Sequence, residues 1–334
     1  MVVELLSERY RSHPRPQFGG FDSEDDSGRT RRRTIAELNY MYDLQSLRTG
    51  LRYPSKIISE LNRLYSQRRF GVRYNPQGID IFEEDWDNLV VLDACRYDEF
   101  ERRTDLPGSL ETRTSRASTT HQFIRGNFAG RTLDDVVYVS ANGWFASLKE
   151  EIDAEVHEFI HVERDAVDGL TSRPETVTET ALDAAERYPN KRLIVHYMQP
   201  HQPYLGPTGQ RLDHDGALYQ TIENNDVSRE EVLRAYRENL DLVAEEVERL
   251  LTELRGKNVV TADHGELLGE RTEPIPISYY GHPDGVYVDE LVTVPWQVHR
   301  NGERKEIVGE AASARDDYDS EAVNEQLRSL GYKL

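Results

Sequence analysis

The amino-acid sequence predicts an α/β protein, a three-layer α/β/α sandwich around a mainly parallel central sheet. Three observations predict it: a continuous apolar run at Asn88-Leu89-Val90-Val91-Leu92-Asp93, a long amphipathic pattern over 228–254 that leads directly into another apolar run, and polar residues collected where such runs end. Continuous rather than alternating apolarity suits a strand covered by helices on both faces, which parallel sheets require. A long helix between two strands points to layered α/β architecture.

Taken in order, residues 1–33 hold Pro14, Pro16, Gly19-Gly20, the acidic run Glu24-Asp25-Asp26 and a basic cluster from Arg29 to Arg33 without a sustained apolar period. They are expected to be disordered or loosely attached. Residues 34–80 improve, with Ile35, Leu38, Met41 and Tyr42, then Ile57, Ile58, Leu61 and Leu64 after Pro54-Ser55; the spacing predicts two short helices packing on the edge of the main body. Residues 81–334 are expected to form the main domain. Beyond Asn88–Asp93, strands are expected at Val136–Ser140, Leu193–Tyr197, Asn258–Ala262 and Leu291–Val294, and helices at 119–127, 175–188, 228–254 and about 320–330. In the longest helix Ser228 and Glu231 make a capping box, and Tyr236, Leu240, Val243, Val247, Leu250 and Leu254 form an apolar stripe. At ~27 residues it spans about 40 Å, and Gly256 is a candidate C′ glycine.

The chain has 334 residues, enough for one large core or two unequal domains. It carries 41 basic against 61 acidic residues, a net charge of −20, and a field of that sign repels phosphate backbones and anionic lipid. Nucleic acid is therefore excluded as an expected partner. Only six of the basic residues are Lys, and the acidic, Arg-rich composition resembles that of proteins from salt-loving archaea. A single cysteine, Cys95, excludes an intramolecular disulfide and a thiolate metal cluster. No run approaches the ~18–20 apolar residues of a membrane span, so no integral membrane contact and a cytoplasmic location are expected.

Ligands of parallel α/β sheets sit outside the carboxyl ends of the strands. Asp93 ends the first strand, His196 and His201 lie at and after the third, and Asp263-His264 end the fourth. In Asp263-His264-Gly265-Glu266 a carboxylate and an imidazole become available to one ion, and Gly265 permits a close backbone approach. His201 stands between Pro200 and Pro203 in a restricted loop that suits a substrate-facing imidazole, and His282 lies in the constrained turn Tyr280-Gly281-His282-Pro283. Arg96 and Arg116 are candidate oxyanion clamps, because guanidinium forks match phosphate.

Leu89-Val90-Val91-Leu92-Asp93, Ser115-Arg116-Ala117-Ser118-Thr119-Thr120, Pro200-His201-Gln202-Pro203-Tyr204 and Thr261-Ala262-Asp263-His264-Gly265-Glu266 together resemble the ordered landmarks of the alkaline phosphatase and sulfatase superfamily. Glu290-Leu291-Val292-Thr293-Val294-Pro295 is similar to its late core strand, and the likeness covers roughly residues 85–300. The resemblance implies an alkaline-phosphatase-like fold, one divalent cation held by Asp93, Asp263 and His264, and a nucleophile at a helix start that also binds the metal. Because 115–120 contains no Cys, the chain looks more like the Ser/Thr-nucleophile branches than like formylglycine sulfatases. Ser118 has a spacing to Phe123 similar to that of the nucleophile in polyglycerol-phosphate synthases; Thr119 follows it, and Thr120 is an alternative within the same turn. The Asp-x-x-x-His arrangement of a second metal site is missing, so one ion is expected, with His201 and His282 on substrate oxygens. Mn or Zn is favoured over Mg or Ca by the imidazole ligand.

The function expected is hydrolysis of small phosphate esters, diester or monoester, through a Ser/Thr phospho-enzyme. Sulfate-ester hydrolysis and phosphoglycerol-type transfer are the alternatives on the same scaffold. A non-catalytic binding or assembly role in surface-glycan synthesis is the alternative of a different class.

Overall fold

A computed structural model describes residues 54–70, 73–214, 216–310 and 320–330. The expectations for residues 1–33 and for the helix beginning near Ile35 lie outside these residues. In chain order the described elements are α1 (Pro54–Phe70), β1 (Asn88–Asp93), α2 (Tyr97–Arg103), β2 (Ser109–Thr114), α3 (Thr120–Phe128), β3 (Thr132–Ser140), α4 (Trp144–Leu148), β4 (Glu155–His161), α5 (Pro174–Arg187), β5 (Arg192–Pro200), α6 (Leu218–Asn225), α7 (Arg229–Glu253), β6 (Gly256–Ala262), the hairpin β7 (Leu267–Arg271) and β8 (Ser278–Gly281), α8 (Asp289–Val292), β9 (Thr293–Asn301) and α9 (Ser320–Ser329).

Seven strands form one sheet in the order β2-β9-β6-β1-β5-β3-β4. From β6 to β4 every neighbouring pair is parallel, while β9 runs antiparallel to both β6 and β2. The all-apolar centre of β1 explains its central place, since its residues supply both faces alternately. Val90 and Leu92 join a core with α5 and α7, to which Val177, Ala181, Leu240, Val243, Val247 and Leu250 contribute. Leu89 and Val91 face the opposite layer, with Phe123 and Ile124 of α3, Phe145 of α4 and Val323 and Leu327 of α9. The result is the three-layer α/β/α sandwich expected from the sequence.

At the start of α7 the Ser228 side chain accepts from the Glu231 N–H, and Glu231 reaches back to Ser228 N at 2.9 Å. Gly256 opens β6 with φ of 102°, and a Cβ there would lie 2.4 Å from Asp87 Oδ2; it serves the strand entry rather than the C′ position. The run Leu291–Val294 is not one strand: its first half closes α8, and β9 begins at Thr293. The edge strands β2 and β4 were not expected, because SLETRT and EVHEFIH lack the continuous apolarity of the buried strands. Helix α1 begins at Pro54 itself and meets the loop after β7 through Asn62, which donates to Ile275 O at 3.2 Å and accepts from Ile275 N at 3.1 Å. Ile57 and Leu61, expected on its packing side, are 46% and 49% exposed. Among the described residues no helix is long and apolar enough to cross a membrane.

Candidate active site

Parallel β1, β5 and β6 end at the same edge of the sheet, and this brings Asp93, Asp263 and His264 together with ligand atoms all within 4.8 Å of one another. All three side chains are fully buried. His264 Nε2 lies 3.7 Å from Asp93 Oδ1 and 3.3 Å from Asp263 Oδ2. Each of the three side chains is also held by an outer atom, an arrangement characteristic of metal ligands. Asp93 Oδ2 accepts from Asn142 Nδ2 at 2.8 Å, and His264 Nδ1 is 2.8 Å from Gly265 O, which turns Nε2 into the site. Asp263 Oδ1 accepts the backbone N–H groups of Ala94 and His264 at 3.0 and 2.8 Å. Ala94 reaches it by adopting φ of 59° directly after β1, and its own carbonyl is tied to Tyr236 Oη of α7 at 2.8 Å. Gly265 is required here by space: a Cβ would fall 2.0 Å from Glu290 O.

Burial first, and the charge of Asp263 next, push Asp93 well above the usual carboxylate range, and burial raises Asp263 as well. Burial also holds His264 well below the ordinary imidazole value. Among the described residues neither carboxylate has an Arg or Lys partner, and Asp263 Oδ2 has no hydrogen-bond partner. Two facing buried carboxylates, an inward imidazole nitrogen and an orphaned carboxylate oxygen fit a divalent cation.

The hydroxyl brought to this cluster is that of Thr120, the first residue of α3, whose Oγ1 is 3.3 Å from His264 Nε2 and 3.5 Å from Asp93 Oδ1. Ser118 and Thr119, the first candidates from the sequence, are engaged elsewhere. Ser118 Oγ lies 2.9 Å from Pro283 O and 3.1 Å from Gln122 Oε1, while Thr119 Oγ1 is 3.1 Å from His121 Nδ1. The correction follows from the helix boundary: Thr119 is the N-cap with extended backbone (φ −151°), and the helix begins one residue later.

Beside the first cluster stands a second, His201, Glu266 and His282, again with ligand atoms within 4.8 Å. The rings of His264 and His282 have centroids 4.5 Å apart, and those of His201 and His282 5.0 Å. His201 is positioned by its N–H, which donates to Asp93 O at 3.1 Å, and by Asn239 Nδ2, which donates to His201 O at 3.0 Å. His282 Nδ1 lies 3.0 Å from Glu266 Oε1. Burial pulls the His282 value down, but the Glu266 carboxylate outweighs it and the net direction is upward; His201 is held well below its ordinary value by burial and the neighbouring imidazoles. Sequence reasoning gave Glu266 no role, although it stands two residues after His264. The Asp near His282, Asp284, faces His121 at 3.6 Å instead of this group.

The two guanidinium groups expected to clamp an oxyanion are turned to protein acceptors, Arg116 through Nη1 alone. Arg96 binds Asp98 through Nε and Nη2 at 2.8 and 2.9 Å, and its Nη1 meets Glu270 at 2.9 Å and Glu266 O at 3.3 Å. Arg116 Nη1 donates to Asp80 Oδ2 at 3.0 Å and to Gly126 O at 2.6 Å. Both order the scaffold, Arg96 by tying the chain after β1 to the segment carrying Glu266.

No protein-family model matches the chain, and no curated protein matches it in sequence. Similar solved structures include the integral membrane lipooligosaccharide phosphoethanolamine transferase EptA of Neisseria meningitidis, 14% identical with a TM-score of 0.41, covering 81% of this chain and 59% of that one. The C-terminal periplasmic domain of EptC from Escherichia coli, solved in complex with Zn, is 12% identical with a TM-score of 0.42 over 67% of this chain and 77% of that one. A protein described as belonging to the alkaline phosphatase superfamily, from Vibrio parahaemolyticus, is 12% identical with a TM-score of 0.38 over 76% and 71% of the two chains. This chain spans 59% of the length of the Neisseria transferase.

Proposed function

We propose that this protein is a metal-dependent enzyme that cleaves small phosphate esters, with Thr120 as the attacking hydroxyl. The observation that supports the reading is the contact of Thr120 Oγ1, at a helix start, with both His264 Nε2 and Asp93 Oδ1 at 3.3 and 3.5 Å. A divalent cation held by Asp93, Asp263, His264 and Thr120 would supply Lewis-acid polarisation and a lowered hydroxyl pKa, with Mn or Zn suiting this donor set better than Mg or Ca. Thr120 Oγ1 gives up its proton to solvent and forms the bond to phosphorus, and the P–O bond to the ester oxygen breaks, giving a phosphothreonine intermediate. Thr120 is the first residue of α3, and a helix start favours negative charge. His282, whose acid form the Glu266 carboxylate favours, gives its proton to the departing oxygen, and its neutral form takes one from the water that releases phosphate. His201 shares that side of the site; its Nδ1 meets Gln202 O, so in the neutral ring Nε2 is a hydrogen-bond acceptor for a substrate hydroxyl or for the attacking water. Thr120, a hydroxyl with no cysteine among 115–120, is the reason to rank phosphate above sulfate esters.

The test is metal analysis combined with turnover of aryl phosphate, bis-aryl phosphate and aryl sulfate in high salt, for the wild type, Thr120→Ala, Ser118→Ala and Asp263→Asn. The expected result is activity on a phosphate ester, loss by at least about 10³-fold in T120A with the cation retained, loss of both in D263N, and a modest effect in S118A. Equal turnover by T120A, or faster cleavage of the sulfate ester, would overturn it.

A further inference from the structure

Below the candidate metal ligands lies a buried polar pair that the chemistry above does not use. His196 of β5 and Tyr138 of β3 are fully buried, and Tyr138 Oη is 2.8 Å from His196 Nδ1. Either group can donate in this contact; with the phenol donating, Nδ1 accepts and the imidazole hydrogen sits on Nε2. That nitrogen faces Asp263 Oδ2 at 3.9 Å, and neither atom has a hydrogen-bond partner among the described residues. Two such orphans facing one another in a dry interior call for an explanation. Asp263 Oδ1 is already saturated by two backbone N–H groups. The remaining freedom of the carboxylate is therefore a swing of Oδ2, and ~1 Å of it makes a hydrogen bond to His196.

We propose that His196, oriented by Tyr138, is a positioning residue that fixes the ion-facing oxygen of Asp263 from beneath; this rests on the metal-site reading above. Among the described residues His196 makes no hydrogen bond to Thr120. It acts by limiting where Asp263 Oδ2 sits, the kind of outer support whose loss weakens metal affinity by about 10–100-fold in other sites.

The experiment is calorimetric titration of Mn²⁺ and Zn²⁺ into the full chain in high salt, with thermal unfolding of the metal-free protein alongside, for the wild type, His196→Leu, His196→Gln and Tyr138→Phe. H196L is expected to bind about 10–100-fold more weakly. H196Q, whose amide keeps a donor near the Nε2 position, is expected to stay within a few-fold of the wild type, and Y138F to fall between them. A purely structural role predicts that H196Q and H196L lower the unfolding temperature and leave affinity unchanged, and that result overturns the proposal. Equal weakening in H196Q and H196L also overturns it. Should H196L not fold, Y138F decides, because an unchanged affinity there leaves Tyr138 no orienting role. Failure of the wild type to bind either ion overturns the metal-site reading itself, a result distinct from a wild type that binds and an H196L that binds equally well.

Discussion

Thr120 meets the candidate metal ligands, and Ser118 does not, because hydroxyls one residue apart at a helix start point in different directions once the helix boundary is set. The sequence carries three candidates within one turn, and only the cap geometry of Thr119 separates them. Asp93, Asp263 and His264 were legible because each ends or follows an apolar strand, and parallel strands bring such ends to one edge. Glu266 was not, since its partner His282 lies across the β7–β8 hairpin, and Arg96 and Arg116 were misplaced because an acidic chain does not reveal which carboxylates occupy them. The Glu266–His282 contact carries a pH prediction. The His282 value is raised by Glu266 against the effect of burial, so the acid form persists above the ordinary imidazole range and kcat falls on the alkaline side. Glu266→Gln removes the raising charge while burial remains, and the alkaline limb of a kcat–pH profile is expected to move to lower pH. An unmoved limb would exclude His282 as the proton donor.

Among the elements, those with strong local signals were legible and those at the sheet margins were not. The capping box of α7 was visible as Ser228 with Glu231, and Ser228→Ala is expected to cost about 1 kcal/mol, read as a lower midpoint in chemical unfolding. The edge strands β2 and β4 escaped notice because their exposed faces admit charge, so their residues alternate weakly. Gly265 presents a stricter condition, since Glu290 O occupies the space of a Cβ. Gly265→Ala must push the β6 exit away from α8 and is expected to destabilise the fold by about 1–3 kcal/mol. Because His264 is the preceding residue, cation affinity is expected to fall with it; a titration in which G265A binds Mn²⁺ or Zn²⁺ like the wild type would contradict that coupling.

For the whole molecule the dominant quantity is the net charge of −20. Self-repulsion of that size opposes the compact state and is screened as the Debye length falls from about 10 Å at 0.1 M salt to 3 Å at 1 M. The unfolding temperature is therefore expected to rise with NaCl through this range, and a flat or falling dependence in thermal scans would show that repulsion is not what limits stability. The three-layer order was legible from continuous apolar strands and one long amphipathic helix, whereas the antiparallel insertion of β9 between β2 and β6 depends on partners remote in the chain. Asp93 ends β1 and Asp263 follows its neighbour β6, but the two are separated by most of the sheet's connections. A ribosome must thus release nearly the entire sandwich before both carboxylates exist in one place, and any truncated product ending ahead of β6 lacks half of the grip. An ion captured there acts as a late clasp on the finished molecule, and chelation should loosen the assembled sheet rather than any single segment of it.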